Sequence, residues 1–239
     1  MLRLMKILLA VLLLMSGSLA LAQTTASEAR DFIKSGNAKY AKAEYESAIV
    51  DYQHIEPAAG EVYAQALYNI GVCYYELWRT EDAVAMYRKA IKARGGRYPR
   101  AFYSLGVALE DLKLLADAKK AYRQAIVTSG EAYAVAYYKL GVITASENDC
   151  KTAAALFSEA IARSPHPFPA GHNNLGVMLA RSGRLREAQR EFEIALSQAT
   201  AALPEARHNL ALCRSLLAAR AGTQVASFRL RRETDLLSR

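Results

Sequence analysis

The sequence predicts an all-α solenoid of tandem helix-turn-helix repeats, and three observations carry that reading. Glycine recurs every 35 residues, at Gly36, Gly71, Gly106, Gly141 and Gly176, and Ala211 continues the series. Twelve residues after each glycine stands an alanine (Ala48, Ala83, Ala118, Ala153, Ala188), and four further on an aromatic (Tyr52, Tyr87, Tyr122, Phe157, Phe192). Three positions beyond the aromatic the column reads Ile55, Ala90, Ala125, Ala160 and Ala195. Columns that hold register through five copies mark a repeat architecture, in which one hairpin cannot bury its apolar faces alone and stacks on its neighbours.

The elements follow in order. Residues 1–22 read as a secretory signal, with Arg3 and Lys6 before the apolar run Ile7 to Met15 and small residues at Ala20-Leu21-Ala22 before Gln23. An uncleaved anchor over residues 2–22 is the alternative, although a run this short falls below the roughly 20 apolar residues a bilayer span needs. Residues 23–219 carry the repeats, starting near 29, 64, 99, 134 and 169, with a sixth first-helix at 204–219. Thr25-x-x-Glu28 has the form of a capping box opening the first helix. In the second copy Leu67, Ile70, Gly71 and Tyr74 share one helical face, and Ala83, Met86, Tyr87 and Ala90 share a second after a short turn. Small residues stand where two backbones approach closely, and the aromatic fills the wedge between hairpins. Gly95-Gly96 supplies a stop for the second copy's second helix. Pro165, Pro167 and Pro169 separate the fourth and fifth copies. Residues 220–239 lose the pattern and read as a basic tail, either frayed or a short amphipathic helix.

These columns resemble the tetratricopeptide repeat, a helix-turn-helix with the pattern W-x2-L-G-x2-Y…A-x3-F…A…P. The tryptophan position is taken here by Phe32, Leu67, Phe102, Tyr137 and His172, Ser35 replaces the leucine in the first copy, and Pro165 keeps the closing proline. The resemblance implies a right-handed α-solenoid and a non-catalytic function: a protein-protein interaction scaffold that takes a partner polypeptide on the concave face lined by first helices. Exported members of this look serve envelope assemblies, which leaves open an adaptor or an accessory subunit of an envelope enzyme or export complex.

Composition narrows the alternatives. The net charge of +8 is spread over the repeats rather than gathered in one run, which argues against a nucleic-acid partner. Three cysteines in an exported chain cannot all pair internally. Cys73 and Cys213 occupy one column four repeats apart, so buried thiols are expected at all three positions, Cys150 included. His166 and His172 have no cysteine or carboxylate at ligand spacing, and no phosphate loop or nucleophile elbow is present, so no cofactor, metal or catalytic site is expected. Periplasmic or secreted location follows from the signal reading. A weak membrane-surface contact is open to the basic tail through Arg229, Arg231 and Arg232.

Helical spacing also nominates a binding groove. Turned about 100° from the packing residues, by the helical repeat, lies a tyrosine column of Tyr68, Tyr103 and Tyr138, continued by Asn173 and His208. Beside it run Val72, Val107, Val142 and Val177, with Tyr75 on the same face. A valine column disfavours a water-facing helix, and tyrosine is common at binding hot spots, so these ten residues are expected to line the groove. The competing reading is that they pack against the adjoining first helix. Asn37, Asn69 and Arg100 fall on columns that grip a chaperone's terminal carboxylate in some family members. However, Ile33 and Ser104 replace two cations of that clamp, so that mechanism is not expected.

Overall fold

A computed structural model describes residues 27–130, 133–219, 228 and 230. The expected signal segment, Thr25 of the capping box and most of the basic tail lie outside these residues. Every regular element among the described residues is helical. The chain divides into two compact units, at Leu114 and Leu115.

The first unit holds α1 (27–40), α2 (Tyr45–Gln53), a 3₁₀ turn (Pro57–Ala59), α3 (Glu61–Glu76), α4 (Thr80–Ala93) and α5 (Pro99–Asp111). α3 packs on α2, α4 and α5, and α4 on α5. The second unit holds α6 (Leu115–Thr128), α7 (Ala134–Ser146), α8 (Cys150–Arg163), α9 (Pro169–Arg181), α10 (Leu185–Gln198) and α11 (Pro204–Ala218). There each helix packs on the next, and α9 also touches α11. Both units are thus runs of helices packed in sequence order, the pattern of a helical-repeat solenoid.

The four columns explain the hairpins. Ala48, Ala83, Ala118, Ala153 and Ala188 are all 0% exposed, and so are Ala90, Ala125, Ala160 and Ala195. A methyl group at Gly71 would sit 2.7 Å from Tyr87 Cε1, and one at Gly176 would sit 2.6 Å from Phe192 Cε1. Glycine is therefore required because the aromatic of the second helix lies flat on the first helix's backbone. Ala211, where the column loses its glycine, is exposed.

The turn inside each hairpin repeats as strictly, through the backbone alone. Ala43, Trp78, Lys113, Asn148 and Gly183 all have positive φ, from 59° to 78°. Each is followed by an amide that reaches back to the carbonyl five residues earlier, as in Arg79 N–H to Tyr74 (2.9 Å) and Arg184 N–H to Leu179 (2.9 Å). That is a Schellman closure with its left-handed residue. Gly95 and Gly96, at φ 59° and 76°, close α4 by the same device, with Gly96 N–H on Ile91 O. Proline at the first turn opens α5, α9 and α11, where the missing amide proton costs no intrahelical bond.

Candidate partner-binding surface

The expected tyrosine stripe is mostly packing. Tyr138, Asn173 and Val177 are 0%, 0% and 1% exposed, and Tyr68 only 6%. Tyr68 lies 5.7 Å from Tyr87 of α4 and 5.5 Å from Tyr98 at the start of α5, ring centroid to centroid. Tyr138 repeats this against Phe157 (5.6 Å) and Phe168 (5.1 Å). A first helix is covered by its own partner and by the first helices before and after it, so the buried arc is wider than one helical stripe. Four of the ten nominated residues therefore belong to that arc, not to an open groove. Val72, Tyr75, Tyr103, Val107 and Val142 are half-buried and His208 is exposed.

The hydroxyls of this column are bound laterally. Tyr68 Oη lies 3.2 Å from Ser104 Oγ, and Asn174 Nδ2 donates to Tyr138 Oη at 3.0 Å, both across 36 residues. Tyr75 donates to Asp111 and Tyr40 to Glu76 (3.2 Å) at the same offset. In the second unit the chain of amides continues: Asn173 Nδ2 donates to Asn174 Oδ1 (3.0 Å), and Asn209 Nδ2 to Asn173 Oδ1 (2.9 Å). All three asparagines are 0% exposed, so their hydrogen bonds sit in a low-dielectric interior. Burial, and then the Asp111 hydrogen bond, push the Tyr75 phenol well above its ordinary range.

The first unit holds a depression of about 250 Å³ between α1, α3 and α5. Its polar wall is made by Asn37, Asn69 and Arg100, the residues whose columns match the family clamp. Asn37 Oδ1 accepts from Tyr52 Oη (2.8 Å) and from Asn69 Nδ2 (3.1 Å), which fixes both amides. Burial raises the Tyr52 phenol to about 12, so it stays a donor. The Arg100 guanidinium stands 5.1 Å from the Tyr68 ring centroid, within cation–π range. Gln65 and Val72 complete the rim. Ile33 is buried and Ser104 is engaged by Tyr68, so the clamp's two further cations have no counterpart here. Sequence spacing brings out Asn37, Asn69 and Arg100 but not their convergence on one depression with Gln65.

Between α1 and α2, Asp51 accepts from Lys39 Nζ (2.7 Å) and Ser35 Oγ (2.6 Å). Burial works to raise its pKa, but those two hydrogen bonds and the lysine charge outweigh it and hold the carboxyl below its ordinary range. His172 Nδ1 lies 2.7 Å from Glu191, tying α9 to α10, which accounts for this histidine as a packing residue. Cys73, Cys150 and Cys213 are free; Cys73 and Cys213 are buried, whereas Cys150 is half-buried at the start of α8, against the expectation of three buried thiols. Among the described residues no group of His, Cys, Asp and Glu is arranged to hold a metal ion, and no helix is long and apolar enough to cross a membrane.

A family model described as tetratricopeptide repeat matches residues 27–96, 74–136 and 138–204. No curated protein matches the sequence. Among solved structures, one of MamA is 26% identical, with 68% of this chain and 93% of that one covered, at a TM-score of 0.60. YrrB, a tetratricopeptide-repeat protein with an unusual peptide-binding site, is 24% identical over 77% of this chain and 90% of its own, at 0.57. PilF of Pseudomonas aeruginosa is 18% identical over 84% and 95%, at 0.62.

Proposed function

The chain belongs to the tetratricopeptide repeat family, and from that premise we propose that it is a non-catalytic adaptor holding an extended, acidic polypeptide in the depression between α1, α3 and α5. The tetratricopeptide fold is an interaction scaffold, and YrrB bears a peptide-binding site. The observation that carries the reading is the convergence of Asn37, Asn69 and Arg100 on that one depression. Two amides held in fixed orientation match the donor and acceptor of a peptide backbone. A guanidinium beside them favours a side-chain or terminal carboxylate, which it can take in a two-pronged hydrogen bond. The half-buried Val72 adds an apolar rim for an aliphatic side chain.

We place this adaptor in the bacterial cell envelope, because residues 1–22 have the charge, apolar run and small residues of a secretory signal. Intact mass of the protein from a periplasmic extract tests the location. A mature N-terminus at Gln23 is expected, and retention of residues 1–22 would replace export with anchoring.

Selection of a random peptide-display library on the immobilised protein tests the binding mode. Enrichment of acidic sequences is expected, with loss of the selected peptides on Arg100→Glu and weaker binding on Asn69→Ala. Selected peptides that bind Arg100→Glu as well as the parent would remove this depression as the site.

A further inference from the structure

Arg79 and Arg184 hold equivalent places three periods apart, yet among the described residues only Arg79 covers a ring. Asp82 turns Arg79 back (Nε to Oδ2 2.8 Å), and the guanidinium carbon lies 4.4 Å from the ring centroid of Tyr74. Glu187 turns Arg184 back in the same way (Nε to Oε1 2.7 Å), but Leu179 stands in the column of Tyr74. The groove wall shrinks with it: Ile49 and Val50 of α2 correspond to Ala154 and Ala155 of α8. In the first unit Tyr74 packs against the apolar cluster that holds Ile49. In the second, these shorter residues line a depression of about 480 Å³ between α8, α9 and α10. One groove earlier in that unit, the columns of Ala154 and Ser182 carry Lys119 and Glu147, paired at 2.5 Å, with Lys119 only 19% exposed. The charge of the lining changes too. Where the first unit has Glu46 and Ala85, the depression has Lys151 and Arg190, which make no hydrogen bond or ion pair among the described residues. Its two carboxylates are engaged, Glu187 by Arg184 and Glu191 by His172.

We propose that this depression is a second docking site, for a partner polypeptide that presents phenylalanine or tyrosine flanked by carboxylates. The ring takes the place that Tyr74 fills in the first unit, against Ala154, Ala155 and Leu179 and beneath the Arg184 guanidinium, which attracts a ring face. The flanking carboxylates pair with Lys151 and Arg190, whose charge no described side chain answers. Tyr74 under Arg79 is the chain's own precedent for a ring held by this arginine column. The site shares no residue with the depression of Asn37, Asn69 and Arg100, which lies wholly in the first unit.

The test uses the full chain carrying Arg100→Glu, which silences the depression of the first unit. The probe is a fluorescein-labelled peptide with one phenylalanine between two Asp-Glu pairs, read by anisotropy, with circular dichroism checking the helices of each variant. Saturable binding is expected, and a peptide with alanine in place of the phenylalanine is expected not to bind. Changing its acids to amides, or Arg190→Glu in the chain, is expected to weaken binding about tenfold or more, the scale of one hydrogen bond to a charged group. Leu179→Tyr fills the site from within, as Tyr74 does, and is expected to lose the peptide while keeping its helices. Ala154→Lys with Ser182→Glu installs the Lys119–Glu147 pair and is expected to lose the peptide too. Absence of binding in the Arg100→Glu chain, or binding unchanged by Leu179→Tyr or by Arg190→Glu, would each overturn the proposal. Should Leu179→Tyr unfold, the Ala154→Lys and Ser182→Glu chain decides, and binding that it retains counts against the site.

Discussion

Asn174 donates from Nδ2 to the phenolic oxygen of Tyr138 at 3.0 Å, and neither side chain has any exposed surface. Tyr68 and Ser104 stand in the same relationship in the first unit, again 36 residues apart. One position beyond the repeat period, the first helices within each unit are thus stitched one to the next by side-chain hydrogen bonds. Asn174→Ala is expected to cost about 1–3 kcal/mol, the range for removing one partner of a buried hydrogen bond. Urea unfolding measures it, and a loss under about 0.5 kcal/mol, the scale of an ordinary surface change, would show that the bond is incidental.

Tyr138 and Arg100 separate stability from binding. Tyr138→Ala opens a cavity among Phe157, Phe168 and the asparagine ladder and is expected to cost about 3–5 kcal/mol, as for other large buried aromatics. Arg100→Ala removes an exposed side chain that lies over Tyr68, and is expected to stay within about 1 kcal/mol of the parent while weakening peptide binding. The reverse ranking in thermal melts would return the tyrosine column to the binding role.

Trp78 carries its ring at 91% exposure on a residue with φ of 59°. The left-handed conformation costs an L side chain about 1–2 kcal/mol relative to glycine. Trp78→Gly is therefore expected to raise the melting temperature, as Gly183 already does for the fifth turn at no steric cost. A lower melting temperature would mean that the ring packs in a way its exposure denies.

The thiols give a kinetic prediction. Burial pushes the Cys73 thiol up to about 12 and raises Cys213 as well, whereas Cys150 is half-buried. At pH 8 a thiol reagent is expected to label Cys150 first, with Cys73 and Cys213 following only on unfolding, since the thiolate is the reactive form. Peptide mapping after a short pulse reads the order directly, and early labelling of Cys73 would refute its burial.

Asp51 gives a pH prediction. Its carboxyl is held below the ordinary range, so the unfolded chain binds the proton more readily than the folded one. The stability it contributes is present above the unfolded value of about 4 and is lost as pH falls through the lower folded value. Asp51→Asn is expected to flatten the stability profile in that acid window and leave its shape near neutrality unchanged. An equally steep acid limb in both proteins would assign the dependence to other carboxylates.

Why some of this is legible in the sequence follows from what each position demands. Gly71 and Tyr87 can be read because close packing dictates size at fixed spacing, and size is written in residue type. The tyrosine column misleads because amphipathic spacing describes one buried stripe, while α3 and α7 are covered from several sides. Asn173, Asn174 and Asn209 look like water-facing residues and are buried only because they satisfy one another. The turn column reads Ala43, Trp78, Lys113, Asn148 and Gly183, with no shared chemistry, since what repeats there is a backbone angle. Asn37, Asn69 and Arg100 are visible as columns, but a depression depends on how far three helices stand apart. Phe228 is outside any period, so nothing in its neighbours announces that its ring stacks on Phe192.

The lateral bonds at 36 residues give the chain an arithmetic of its own. Since every hairpin begins 35 residues after the last, excising that length within one unit joins each surviving hydroxyl to an equivalent position on the new neighbour. Removing a single residue more or less throws every pair that spans the join out of phase by about 100° of helical rotation. A gain or loss of a whole hairpin therefore preserves the stitch, while a small insertion inside a helix breaks it. The chain's length is in effect counted in quanta, and the hydrogen-bond stitch is the ratchet that enforces the count.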